Sequence, residues 1–172
     1  TGVRVEGVPG ELTDHYDPRG RVLRLSEPVY ASQSIAAVSV AAHEAGHALQ
    51  HASHYPLLAL RSFTVPVANI GSMLAFPILF VGMLAGFFPQ ALNLAILLYL
   101  GVVAFTVITL PVEINASQRA LAVLERGGYL TDAEMPGARA VLNAAALTYL
   151  AATLSAVLTL VRLLLLRNMS RD

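Results

Sequence analysis

The pentapeptide His43-Glu44-Ala45-Gly46-His47 has the H-E-x-x-H spacing and lies inside an Ala- and Val-rich run, residues 34–52. On a helix, residues four apart sit about 40° apart in azimuth and roughly 6 Å apart along the axis, so both imidazoles can reach one ion. Glu44 then faces the open side of the metal, where a water would sit. Two histidines do not complete a four-coordinate catalytic zinc, so a third protein ligand must come from elsewhere. The chain has no cysteine, which restricts that ligand to histidine or carboxylate.

Working outward, the composition is that of a membrane protein. Charged residues make up 13% of the 172 residues, against an ordinary ~25%. The mean hydropathy is +0.63. Net charge is zero and every basic residue is a thinly spread arginine, so no basic patch suggests nucleic acid. Residues 65–88 and 91–110 carry no formal charge, and each is as long as the ~20 residues needed to cross a ~30 Å hydrocarbon core. Their short link predicts a tight antiparallel hairpin, which returns Glu113 to the level of His47. Pro66 and Pro77 are expected to kink the first span, and Gly82 and Gly86 to pack within the hairpin rather than form a dimer face. A third span is expected at 141–166, interrupted only by Arg162, which can snorkel to the interface.

The polar segments complete the outline. Residues 1–33 are charged and rich in Gly and Pro, and Val22, Leu23, Arg24, Leu25 and Ser26 predict a short hairpin or edge strand. That strand is a candidate to receive an extended substrate by strand addition. Ser32 or Ser34 is expected to cap the H-E-x-x-H helix, 34–55, and a further helix is expected at 112–127. Thr131, Asp132 and Glu134 read as the start of the next helix. The fold class is therefore mainly α: a single membrane domain over 1–172 with an active-site helix, about three transmembrane helices and a small N-terminal β element. Because the chain begins at Thr1 rather than Met, a preceding segment is expected. Arg4, Arg19, Arg21, Arg24, Arg61, Arg119, Arg126 and Arg139 lie on the H-E-x-x-H side, against Arg167 and Arg171 beyond the third span. That bias predicts a multi-pass protein of the cell membrane with the catalytic side in the cytoplasm.

Candidates for the third ligand are His15, His51, His54, Glu113 and the acids after it. His51 stands about 12 Å along the helix from His43, too far for shared ligation. His54 falls eleven residues after His43, where the metzincin pattern wants ten. Glu113 leads, on a helix at the membrane edge, although an acid at a helix N-terminus is also favoured by the dipole alone.

Four stretches carry a resemblance: Leu12-Thr13-Asp14-His15-Tyr16-Asp17-Pro18-Arg19, the pentapeptide itself, Leu110-Pro111-Val112-Glu113-Ile114-Asn115-Ala116-Ser117, and Val141-Leu142-Asn143-Ala144-Ala145-Ala146-Leu147-Thr148-Tyr149. In these the chain resembles the YugP-like neutral zinc metallopeptidases of bacterial membranes, over nearly its whole length. It is more distantly similar to the HtpX-like and CAAX-processing membrane peptidases, whose E-x-x-A-D motif supplies the third zinc ligand. That resemblance implies one Zn2+ per chain held by His43, His47 and Glu113. Ser117 stands where those distant families have Asp, and a hydroxyl cannot supply the same charge. Members of the YugP-like family also tend to carry an N-terminal membrane helix, and residues 1–30 hold no such stretch.

The expected chemistry is amide hydrolysis. Zinc lowers the pKa of a water toward ~7, and Glu44 takes the proton and passes it to the departing amine. Arg119, Asn115, His15 and Tyr149 are candidate oxyanion donors, and Ser117 a candidate support for a zinc histidine. The expected function is a zinc endopeptidase in the membrane acting on membrane or misfolded proteins at the lipid–water boundary. The partners are then a peptide substrate and the bilayer; nothing in the sequence specifies an oligomeric state. The alternative is a zinc-binding regulatory membrane protein without proteolytic activity. A transporter would show charged or broken helices at mid-depth, and the first two spans hold only Asn69 and Asn93 as amides. A site-2-type protease would carry its H-E-x-x-H inside a span, whereas here the motif precedes the spans.

Overall fold

The protein is described by a computed structural model that covers residues 2–170; Arg171, which entered the orientation argument, lies outside the described residues. Three strands and five helices follow in order: β1 Arg4–Val8, β2 His15–Asp17, β3 Val22–Ser26, α1 Glu27–Tyr30, α2 Ile35–Ala52, α3 Pro56–Leu84, α4 Phe88–Gly127 and α5 Met135–Met169. The chain divides into two compact units, Thr1–Leu58 with Pro111–Thr148, and Ala59–Leu110 with Tyr149–Asp172.

In the first unit the sheet order is β1-β3-β2, with β1 parallel and β2 antiparallel to β3. The β2–β3 hairpin forms because the Asp17 carboxylate accepts the backbone N–H groups of Arg19 and Gly20, at 2.9 and 3.2 Å, closing the turn. The hairpin matches expectation, but the edge position of β3 does not. Val22, Leu23, Leu25 and Ser26 are all buried, and β1 and β2 flank the strand on both sides. Beyond the end of β2, Asp14 accepts the Ser26 backbone N–H at 2.8 Å. An incoming peptide therefore has no free β3 edge, and strand addition at Val22, Leu23, Arg24, Leu25 and Ser26 is corrected.

Ser34 caps α2, its hydroxyl accepting the Ala37 N–H at 3.2 Å. Small residues hold the helices of this unit together. Ala42 of α2, Ala120 and Leu124 of α4, and Ala138 and Leu142 of α5 form one buried cluster, with Ile35, Val38 and Met135 packed against it. Gly128, at φ +61°, turns the chain out of α4. Glu134 then accepts the Thr131 N–H and hydroxyl, at 2.9 and 2.7 Å, just before α5.

The second unit holds an antiparallel helical hairpin. A Cβ at Gly82 would lie 2.2 Å from Ala91 Cβ, one at Gly71 would lie 2.5 Å from the Leu98 carbonyl oxygen, and one at Gly101 would lie 2.6 Å from Val67. The glycines thus allow close approach along the length of the hairpin. Gly82 serves that purpose as expected, while Gly86 supplies the turn, with φ +79°. Leu92, Ile96 and Leu163 form the buried core, with Leu79, Tyr99 and Leu160 against it.

Helices α3, α4 and α5 are each long and apolar enough to cross a membrane. Only 22%, 22% and 11% of their most apolar windows are buried within the protein, so most of this apolar surface needs lipid as its solvent. Helix boundaries depart from expectation in three places. Helix α3 begins at Pro56 and runs through Pro66 and Pro77, and α5 begins at Met135. Helix α4 is one continuous 40-residue helix through Pro111, where two elements, 91–110 and 112–127, were expected.

Candidate metal centre

The H-E-x-x-H residues lie in the middle of α2, and Glu113 lies on α4 three residues past the uncharged stretch. What brings the two helices together is Gly46. A Cβ there would stand 2.3 Å from the Ala116 carbonyl oxygen and 3.2 Å from Ala116 Cα, so only glycine permits this backbone contact. Ala116 sits between Glu113 and Ser117, and both side chains therefore reach the histidines.

Glu113 is 1% exposed, and its Oε2 lies 3.0 Å from His43 Nε2 and 3.4 Å from His47 Nε2. One ligand atom from each residue falls within 4.8 Å of the others, the group of three found among the described residues. Zinc–ligand bonds of ~2.0–2.1 Å at tetrahedral angles put ligand atoms about 3.3 Å apart. The separations of Glu113 Oε2 from the two imidazoles bracket that value, and two imidazoles with a carboxylate are a zinc donor set, so the residues fit the ion.

The outer ring nitrogens are engaged as well. His43 Nδ1 is hydrogen-bonded to Ser117 Oγ at 3.1 Å, and His47 Nδ1 to Gln50 Oε1 at 2.9 Å. The Gln50 amide has one possible orientation, because its Nε2 donates to the Val112 carbonyl at 2.7 Å and to Asn115 Oδ1 at 3.0 Å. Its Oε1 can then only accept, so His47 carries a proton on Nδ1 and presents Nε2 toward Glu113. Asn115 Oδ1 also accepts from Arg119 Nε at 2.8 Å. A chain of hydrogen bonds, half-buried at Arg119 and Asn115 and buried at Gln50 and His47, thus runs from Arg119 through Asn115 and Gln50 to His47.

Glu44 is 9% exposed. Burial raises its pKa above the ordinary carboxylate value, against the lowering effects of His47, His43 and a hydrogen bond from the Tyr16 backbone N–H. For His47, burial lowers the pKa, but the hydrogen bond and charge of Glu113, with Glu44 and Gln50, outweigh it and the net shift is upward. Strand β2 is clamped to α2 at a second point, where the Tyr16 hydroxyl is hydrogen-bonded to His51 Nδ1 at 2.8 Å.

Of the other candidates, His51 is engaged by Tyr16 and His15 turns its ring to the Thr13 carbonyl at 2.7 Å. His54 sits just past the end of α2 with φ +52°. Tyr149 belongs to the second unit. Ser117 touches His43, Asn115 reaches the group only through Gln50, and Arg119 only through Asn115. Three contributors escaped sequence reasoning: Gly46, which passes as an x in the motif; Gln50, one turn after His47 on the same face; and the backbone of Tyr16.

The profile of the family described as "Putative neutral zinc metallopeptidase" matches residues 1–168. A Bacillus subtilis protein, "Putative membrane protease YugP", is 50% identical over 171 residues, covering 99% of this chain and 75% of that relative. No solved structure matches. With a profile that runs nearly end to end and a membrane protease identical at half of the aligned positions, the chain belongs to the neutral zinc metallopeptidase family.

Proposed function

We propose that residues 1–172 act as one membrane-embedded zinc endopeptidase domain, hydrolysing peptide bonds of membrane or misfolded proteins near the membrane–water interface. The carrying observation is the convergence of His43, His47 and Glu113 within 4.8 Å, with the buried Glu44 adjacent on α2. His43, His47 and Glu113 are the ligands and Glu44 is the general base. Zinc bound there supplies Lewis acidity, lowering the pKa of a water toward ~7.

Glu44 takes the proton of that water on its carboxylate and returns it to the amine of the broken peptide bond, acting first as base and then as acid. The Tyr16 N–H holds the Glu44 carboxylate in place during both transfers. Ser117 and Gln50 keep the two imidazoles turned with Nε2 toward the ion, work that needs an acceptor and not a charge. Asn115 Oδ1 links Arg119 to Gln50, a positioning role, and the remaining N–H groups of Arg119 and Asn115 stand as candidate oxyanion donors. Glu113 lies only about 5 Å along α4 beyond residue 110, at ~1.5 Å per residue, which supports an interfacial site. The arginine bias supports a cytoplasmic catalytic side.

The test is metal content and cleavage of casein and membrane substrates by the parent chain, Glu44→Gln and Glu113→Ala. Glu44→Gln is expected to keep zinc and lose cleavage, and Glu113→Ala to lose zinc affinity. Full cleavage by Glu44→Gln would remove its role as base. A parent chain that binds zinc and cleaves nothing would favour the regulatory reading.

A further inference from the structure

Of the histidines of α2, His51 alone lies outside the metal-ligand group. Residues seven apart on a helix differ by only about 20° in azimuth, so His51 shares a face with Glu44, two turns and about 10.5 Å further on. Strand β2 packs on α2 along that face. Tyr16, its middle residue, meets α2 at two points. Its backbone N–H is hydrogen-bonded to the Glu44 carboxylate, and its hydroxyl to His51 Nδ1 at 2.8 Å. The two ring centroids lie 5.8 Å apart with the planes tilted by 54°, so the phenol also packs against the imidazole.

Both ends of β2 are tied elsewhere, to β3. Ahead of the strand, Asp14 accepts the Ser26 N–H and hydroxyl at 2.8 and 2.9 Å. At its far end, Asp17 accepts from Arg24 Nη1 at 2.9 Å. On its other side β2 has no neighbouring strand, because the sheet order ends with it. Tyr16 and His51 are therefore what joins the sheet to the active-site helix by side chains. Among the described residues no second pair of side chains is hydrogen-bonded across that contact. Without this link the middle of a three-residue edge strand is free to lift from α2, and the group that lifts with it is the N–H on Glu44.

We propose that His51 is a positioning residue for the general base: by holding the Tyr16 hydroxyl it keeps β2 down on α2 and the Glu44 carboxylate in one orientation. This assignment rests on the peptidase reading and adds to its machinery a histidine that is not a metal ligand. Proton transfer depends steeply on such placement, since a displacement of about 1 Å costs on the order of 100-fold in rate. A loosened strand that still visits the correct position is expected to cost less, about tenfold.

The experiment uses the zinc-loaded full chain in phosphatidylcholine nanodiscs, with casein as substrate. Tyr16→Phe removes the hydroxyl and keeps the ring, His51→Ala removes its partner, and His51→Asn returns a polar atom near the position of Nδ1. Tyr16→Phe and His51→Ala are each expected to lower kcat about tenfold with KM and zinc content unchanged. The double variant Tyr16→Phe/His51→Ala is expected to lose no more than either single one, because both remove the same bond, and His51→Asn to recover most of the loss. Independently of cleavage, hydrogen exchange at the Tyr16 amide, followed by NMR, is expected to be faster in His51→Ala than in the parent chain. An unchanged kcat in His51→Ala overturns the proposal, as do losses that multiply in the double variant, a His51→Asn that recovers nothing, or a Tyr16 amide that exchanges at the parental rate. A fall in zinc content that accounts for the lost kcat overturns it in favour of a structural role at the metal ligands. A parent chain that binds zinc and cleaves nothing ends the peptidase reading itself, whereas parental cleavage with His51→Ala unimpaired ends the positioning role alone.

Discussion

Gly46 is the position where one atom decides how closely α2 approaches α4. A methyl group there would meet the Ala116 carbonyl oxygen at 2.3 Å, and backbone cannot move aside as a flexible side chain can. Gly46→Ala is expected to push α2 from α4, cost about 1–3 kcal/mol in stability and lose most bound zinc, read by thermal melting and metal analysis. Unchanged zinc content would show that the contact is not needed. Gln50 is fully buried and orients His47, so Gln50→Ala is expected to weaken zinc binding about 10–100-fold, measured by competition with a chelator of known affinity. The pairing of the two histidines was legible in the sequence because a four-residue spacing is a local property of a helix. Gly46 and Gln50 were not, because their roles depend on which backbone lies opposite, and both partners, Ala116 and Val112, come from α4.

At the level of elements, strong local signals were the ones that misled. Pro111 lacks an N–H and disfavours the helix before it, so two elements were expected where α4 runs unbroken from Phe88 to Gly127. Strand β3 was expected at an edge, yet burial on both faces marks it as the central strand. Capping chemistry was read more reliably, since it is carried by a few adjacent residues. Glu134 has its pKa held below the ordinary 4.5 by the Thr131 backbone N–H first and the Thr131 hydroxyl second. A lowered folded pKa means that this contribution is complete above pH 4.5 and is lost as the pH falls through the folded value. Thr131→Ala is expected to move the Glu134 titration midpoint upward toward 4.5, followed by carboxyl NMR. No movement would show that the hydroxyl contributes nothing to the cap.

For the molecule as a whole, apolarity and metal divide the work of stabilisation. The three apolar helices were legible as spans because lipid demands about 20 uncharged residues whatever packs beside them. In the first unit, by contrast, the contact between α2 and α4 is made by Gly46, Ala42, Ala116 and Ala120, side chains that bury little apolar area. A zinc ion held by His43 and His47 on one helix and Glu113 on the other would cross-link that contact. Its binding energy then becomes folding energy for the unit. At zinc concentrations of 100 to 1,000 times Kd, linkage gives about 2.7–4.1 kcal/mol of stabilisation. Chelation is therefore expected to lower the melting temperature of the parent chain in nanodiscs, and readdition of zinc to restore it. Glu113→Ala, already short of a ligand, is expected to melt at nearly the same temperature with and without chelator. A parent chain indifferent to chelation would mean that the packing of glycine and alanine holds α2 and α4 together unaided.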